Sequence, residues 1–565
     1  MLRLFLICLV LAALLGAAVA WSMSGEDTTP ADFTFINRQD HKTLDPGQMS
    51  WLQDLRIAYA LWEGLYTLDG KTLRPVPGVA EQLDIDPTQK IYTFHLRPEA
   101  RWSNGDPVLA GDFVFSWRRM LEQPADYTEL YFYIQGAKQY EEAYANWVTQ
   151  ADAAAGPIPP PPDFTQVGVA ALDDHTLQVT LRNPTPFFLD LCAFPPFFPL
   201  HEPSMRPYAK VDDKTGRVAY YDQGFTRPPN LISNGPYRLT EWVFKRKLRM
   251  VANEQYWNPT SVHCKIIDEP IIDDSLACVR AYMSGQVDWL SWVDDDLIGQ
   301  MRKAGGYNDL HIFKGFGTEF YVLNCLPKLP DGSTNPLADP RVRRALAMAI
   351  DKRPIVENAT KAGQPVALNY IPPGVFKGYT SPAGLPFDPA EARRLLAEAG
   401  YPNGKGFPAL SISFNKEMVQ RADVALIIRN QWRANLNIPI DLEQMEVKVF
   451  ADRLHHHDLA IARADWIGDY PDPTTFTDKF KSDNDDNNAA WSNADYDRLC
   501  AEAETETDPH KRLNLLSQAE SILLQDAPVI PLYYYVDAYM FSSRVKGIEL
   551  DPRDMVLFQA ITVNR

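Results

Sequence analysis

Extended and helical signals alternate along the whole chain, no short-period repeat is present, and 45% of the residues are hydrophobic. Together these predict a mixed α/β protein, in which helices cover the faces of a sheet. The 565 residues suffice for three or four domains with cores of their own.

The first element is a leader. Met1-Leu2-Arg3 is a short basic start, Leu4 to Ala17 is almost wholly apolar, and Ala18-Val19-Ala20 is a small-residue cleavage pattern. Residues 1–20 therefore match a secretory signal peptide. The run is at the lower edge of spanning length, so an uncleaved anchor is the alternative. No later stretch has the pattern of a membrane span.

Further along, Lys90 to Pro98 ("KIYTFHLRP") alternates as a strand and stops at a turn. Ala110 to Leu121 has the period of an amphipathic helix, with Asp112 in its first turn. His175 to Leu181 alternates again. Gly156 to Phe164 ("GPIPPPPDF") predicts an extended surface loop, since polyproline cannot donate to a sheet. Asp339 to Lys352 and Phe387 to Gly404 open as helices with the same device, an Asp cap followed by Pro. In the second, Glu391 stands three residues after the cap, and Gly400 supplies a left-handed end.

A net charge of −18, with Lys and Arg spread along the chain, argues against a nucleic-acid partner, which demands a basic face. Beyond Cys8 in the leader there are five cysteines: Cys192, Cys264, Cys278, Cys325 and Cys500. In an exported protein pairs of these can oxidise, and an odd number leaves at least one free in a monomer. The absence of C-x-x-C weakens zinc and redox readings, and no cofactor is expected.

Local motifs for chemistry are sparse. His455 to Asp458 ("HHHD") has metal-binding residue types, but neighbours in sequence diverge in direction, so an exposed loop is expected. Asp483 to Asn488 ("DNDDNN") begins like a calcium loop. It then places Asn488 and Ala494 where Gly and Glu are needed, and a solvated loop is expected instead. No G-x-S-x-G, P-loop or H-E-x-x-H occurs.

The densest polar stretch is Ala462 to Pro473, "ARADWIGDYPDP". The preceding segment predicts a strand ending near Trp466, on which Arg463 and Asp465 share one face. Gly468 permits a bend or a close backbone approach. Asp469 falls just past the strand end, where sites in α/β proteins lie. The stretch can thus present a cation and an anion beside an extended edge, which suits a zwitterion such as a short peptide. An internal Arg463–Asp469 or Arg463–Asp465 salt bridge is the other reading.

Several stretches, in the right order, resemble family 5 of the bacterial solute-binding proteins, in particular the oligopeptide-binding proteins of ABC importers. They include Pro77–Asp86, Tyr92–Val108, Leu231–Leu239, Asn253–Pro259, Tyr282–Leu290, Ala338–Asp351, Trp491–Leu499 and Ala527–Ala538. The resemblance implies a two-lobed periplasmic-binding-protein type II fold with an additional α+β domain in lobe I. Lobe I would comprise 30–56, 201–316 and 537–565, its extra domain 57–200, and lobe II 317–536.

The resemblance further implies that Asp469 pairs with a peptide α-ammonium and that the backbones of Asp465 and Ile467 bond the peptide as an added strand. Trp466 would line a side-chain pocket beside Gly468, Tyr535 would face the ligand, and Arg463 would meet the peptide carboxylate. Two further cationic positions fall near Lys361 and near Gln420-Arg421. A cysteine pair found in some members is absent, with Ile467 and Gly317 in its place, and a pocket tryptophan is replaced by Val447. The implied function is non-enzymatic. A periplasmic monomer would bind short peptides for delivery to a membrane ABC permease and its ATPase. The alternatives are a receptor for another small solute (a metal chelate, or dipeptides only), a peptide-reporting signalling receptor, and an exported hydrolase using Asp465 and Asp469.

Overall fold

The computed structural model describes residues 29–154, 156–416 and 419–564; the leader lies outside them. Its centre is a mixed sheet of ten strands. In chain order these are β1 (Phe33–Ile36), β2 (Tyr237–Val243), β3 (Lys247–Ala252), β4 (Ile266–Pro270), β5 (Trp289–Leu290), β6 (Leu310–Leu323), β7 (Leu410–Asn415), β8 (Ile440–Met445), β9 (Ile461–Ile467) and β10 (Val529–Phe541). Their spatial order is β2-β3-β4-β1-β5-β10-β6-β9-β7-β8.

The long antiparallel pair β6 and β10 runs through the middle of that order. Its register slips between Lys314, opposite Val536, and Thr318, opposite Tyr534. On one side, Phe33, Phe35 and Trp289 pack into a core that continues through Phe94, Trp117 and Phe188 of the segment preceding β2. That segment builds its own four-stranded sheet from Ala80–Ile85, Ile91–Leu96, Thr176–Thr180 and Val169–Asp173. On the other side, β7, β8 and β9 share a separate core with the helices Pro340–Met348, Pro389–Glu398 and Val419–Leu436, including Trp432 and Ile412.

Most local expectations hold. The strands Ile91–Leu96 and Thr176–Thr180 and the helix Ala110–Glu122 fall where periodicity puts them. Asp388 caps the helix Pro389–Glu398 by accepting from the amides of Ala390 and Glu391. Glu391 does not complete a reciprocal cap; its carboxylate is held by Arg394 at 2.7 Å. The helix Pro340–Met348 is shorter than its sequence pattern. The Asp351 amide bonds the Gln431 side chain at 2.6 Å, and Pro354 follows, so the helical ladder cannot continue.

The polyproline segment is an exposed loop, tied down by a 2.8 Å bond from Trp147 Nε1 to the Pro159 carbonyl. His455 departs from the expected loop: it is the last residue of the helix Val447–His455. Among the described residues no three His, Cys, Asp or Glu side chains converge as metal ligands. None of the five described cysteines is in a disulfide, and four of them are buried. No helix among those residues is long and apolar enough to cross a membrane.

Candidate functional site

The site grows from the C-terminal end of β9. This strand pairs along its whole length with β6, from Leu323–Ile461 to Gly317–Ile467. Its other edge pairs with β7 only at Ile461 and Ala462. β7 runs on through Phe414 and Asn415 without meeting β9. Among the described residues the edge from Arg463 to Ile467 is therefore open.

The pairing also fixes which groups that edge presents. The Gly468 amide donates to the Phe316 carbonyl at 2.9 Å. Residues bonded to the partner alternate in an antiparallel ladder, so Trp466 and Ala464 point their backbone groups at β6. Asp465 and Ile467 point theirs at the open edge. Ile467 is 44% exposed. Gly468 is required here by packing: a Cβ would lie 2.3 Å from the Phe316 ring.

Beyond Gly468 the chain turns into a cavity of about 530 Å³. Trp466, Asp469, Tyr470, Thr475 and Lys479 form one wall, and Tyr127, Glu129, Phe132 and Tyr133 form the facing one. The short helix Thr474–Thr477 holds the first wall in place. Thr475 accepts from Trp466 Nε1 at 2.6 Å through its carbonyl and from the Asp469 amide at 2.9 Å through its hydroxyl. Tyr470 closes the back, stacked on Phe187 with centroids 4.5 Å apart and bonded to the Tyr133 hydroxyl at 3.0 Å.

Burial pushes the Asp469 carboxyl up to about 7; the Tyr127 hydroxyl and the Lys479 charge hold it down, and Asp486 works against them. Lys479 lies over the Trp466 ring, 4.1 Å from its centroid, with the nearest carboxylate, Asp486, at 3.8 Å. Burial also lowers the pKa of this lysine.

Arg463 is on the expected face beside Asp465, at 2.7 Å. It also makes two bonds to Glu319, at 2.7 and 2.6 Å, and one to the Tyr535 hydroxyl at 3.1 Å. The internal salt bridge left open by the sequence is thus present, and it includes a residue from β6. Burial opposes the charge on Arg463, but Glu319 and Asp465 outweigh it. Four of its five N–H groups are committed. Tyr535 donates to Glu319 at 2.6 Å and contacts Asp465 at 3.2 Å.

Arg421 bonds Asn415 at the end of β7, beside the gap that β9 leaves open. Lys361 is exposed, in a left-handed conformation after the helical turn Ile355–Thr360. Of the expected site residues, Trp466 and Asp469 line the cavity, whereas Arg463, Asp465, Ile467, Gly468, Tyr535, Arg421 and Lys361 do not. Sequence reasoning missed Glu319, Tyr127 and Lys479. Only Lys479 left a local trace, four residues after Thr475 in a helical run and therefore on the same side.

Residues 74–488 match the family model for bacterial extracellular solute-binding proteins, family 5. The chain belongs to this family. Among family 5 relatives, the periplasmic oligopeptide-binding protein OppA of Salmonella typhimurium is 30% identical over 97% of each chain. The Escherichia coli murein tripeptide-binding protein MppA superposes with a TM-score of 0.75 at 28% identity, covering 95% of this chain and 99% of that one. Listeria monocytogenes OppA, in a structure with bound peptide, gives a TM-score of 0.72 at 26% identity, with 95% and 100% covered. Over such coverage these likenesses extend to the whole architecture: the chain has the two-lobed family 5 fold with its additional domain.

Proposed function

We propose that this protein is the peptide-capturing component of an ABC importer, exported to the periplasm and handing its ligand to a membrane permease. The observation that carries the reading is the open edge of β9, whose outward backbone groups at Asp465 and Ile467 lead directly to the Asp469 carboxylate. An extended peptide laid along that edge satisfies its main-chain groups whatever its sequence, which is β-augmentation. Its α-ammonium then reaches Asp469, and its first side chain enters the cavity beside Trp466. The homologues named for oligopeptides and a murein tripeptide support this class of ligand.

Arg463 acts here chiefly through Asp465 and Glu319, keeping the edge and the Asp465 side chain in place. Meeting a ligand carboxylate would require it to exchange one of these partners. Arg421, bonded to Asn415 at the end of β7, is then a cation that the far end of a peptide along this edge can approach. The proposed division is lobe I at 30–56, 201–316 and 537–565 with its extra domain at 57–200, and lobe II at 317–536. The crossing at 316/317 lies within the slipped register of β6 and β10 and the one at 536/537 borders it, which supports a hinge where the two strands bend together. The role is binding without turnover.

Native mass spectrometry of the purified protein, followed by denaturation and sequencing of what is released, tests the reading. Intact short peptides are expected. Recovery of a non-peptide solute, or hydrolysis of added peptide, would sink it.

A further inference from the structure

A carboxylate clamps an ammonium only if its geometry is held to within about 0.5 Å, and the Asp469 backbone has a single anchor. Among the described residues, the bond from its amide to the Thr475 hydroxyl, at 2.9 Å, is the only hydrogen bond that this backbone makes. Thr475 also fixes the Trp466 indole through its carbonyl, at 2.6 Å. The placement of both cavity residues thus depends on where Thr475 sits. Thr475 belongs to the four-residue helix Thr474–Thr477, which is too short to keep its shape unaided.

Asp472 and Arg512 supply the support. Asp472 Oδ1 accepts from the Thr474 amide at 3.0 Å and from the Thr474 hydroxyl at 2.7 Å, which fixes the first residue of the helix. The Asp472 carbonyl accepts from the Thr475 amide at 3.1 Å. The Asp472 carboxylate is gripped in turn by both terminal nitrogens of the Arg512 guanidinium, Nη1 to Oδ2 at 2.6 Å and Nη2 to Oδ1 at 2.9 Å. Such a fork fixes the plane of a carboxylate as well as its position. The Arg512 and Asp472 side chains are only 6% and 9% exposed. Arg512 stands on the long helix Pro509–Asp526, capped by Asp508, whose Ala519 and Leu523 share a core with Phe476 of the short helix. Neither Arg512 nor Asp472 lines the cavity, so any effect on a ligand there passes through other residues.

We infer that Arg512, acting through Asp472 and Thr475, is a positioning residue for recognition of the peptide α-ammonium. The inference rests on the proposed seating of that ammonium at Asp469. The contacts run from a packed helix, 40 residues from Asp472 in sequence, through the carboxylate fork to the start of the short helix, and from Thr475 to the Asp469 amide. An ion pair that served the fold alone would support every part of a bound peptide alike. This one ends at the backbone of the residue that takes the ammonium.

Calorimetry at pH 7.5 with Ala-Ala-Ala and propanoyl-Ala-Ala, which lacks only the α-ammonium, isolates that end of the ligand. The unaltered protein is expected to prefer the first by about 100-fold, as loss of a buried charge partner implies. In Arg512→Met/Asp472→Leu both charges go together, so neither is left buried alone, and the preference is expected to fall to about tenfold or less. Arg512→Lys keeps a charge beside Asp472 but loses the planar fork, and the preference is expected to fall there too. Circular dichroism confirms that each variant is folded. A preference that stays near 100-fold in the folded variants, even if both affinities drop together, would overturn the positioning role while leaving the ammonium at Asp469. A preference near one in the unaltered protein would overturn the seating at Asp469 and this inference with it, and failure of both compounds to bind would overturn the peptide reading as well.

Discussion

Arg463 and Glu319 form a two-bond buried ion pair across the β9–β6 ladder, with Nε–Oε1 at 2.7 Å and Nη2–Oε2 at 2.6 Å. They are directly adjacent in space, since Glu319 pairs in register with Asp465 and Tyr321 with Arg463. Removing one partner of a buried pair leaves the other desolvated without compensation, which costs about 3–5 kcal/mol. Because Asp465 still holds one edge of the guanidinium, Glu319→Gln is expected at the lower end, about 3 kcal/mol, in urea unfolding. A loss below about 1 kcal/mol, the range of exposed pairs, would show that the pair contributes little to holding the strand.

Gly468 makes a packing prediction of a different kind. A methyl group there would meet Phe316 Cε1 at 2.3 Å, so either the ring or the turn into Asp469 must move. Gly468→Ala is expected to cost about 1–3 kcal/mol, as overpacking does, and to weaken peptide binding by displacing Asp469. The double variant with Phe316→Leu should recover much of both losses. If it recovers neither, the clash is not what confines this position.

The parts of the site carried by one stretch of chain were legible in the sequence, and the parts assembled from distant stretches were not. Alternation placed β9 and put Arg463 beside Asp465, and the position of Asp469 past a strand end marked it as a candidate. Glu319 is 144 residues from Arg463, and nothing in its own neighbourhood announces the pairing. The cavity wall of Tyr127 to Tyr133 likewise meets Asp469 through the packing of the segment before β2 on the segment after β9, where Phe187 stacks on Tyr470. Helix starts were legible because caps are local chemistry. The early stop after Met348 was not, because Gln431 on another helix takes the amide at Asp351.

None of the five described cysteines is in a disulfide, although an exported chain would meet oxidising conditions. Burial raises the thiol pKa of Cys192, Cys278, Cys325 and Cys500, which suppresses the thiolate that exchange requires. The thermal midpoint is therefore expected to be the same with and without reductant. A fall of several degrees on reduction would reveal a disulfide, since one contributes about 2–4 kcal/mol.

The most direct reading of the clamp is its pH dependence. Burial raises the Asp469 carboxyl from an ordinary value of 3.8 to about 7, with Tyr127 and Lys479 opposing and Asp486 adding to the shift. An arriving ammonium favours the ionised form, so below about pH 7 binding must expel a proton. Affinity is then expected to fall as pH drops from 7 towards 5, by up to about tenfold per unit. Above about pH 8 the peptide α-amine loses its own charge, so affinity falls again. Asp469→Asn should weaken binding about 100-fold or more at pH 7.5, from the loss of a buried charge partner, and should remove the acid limb while leaving the alkaline one. Calorimetry from pH 5 to 9, with circular dichroism to confirm folding, checks this. An affinity that stays flat between pH 5 and 7 would show that the ammonium is held somewhere other than Asp469.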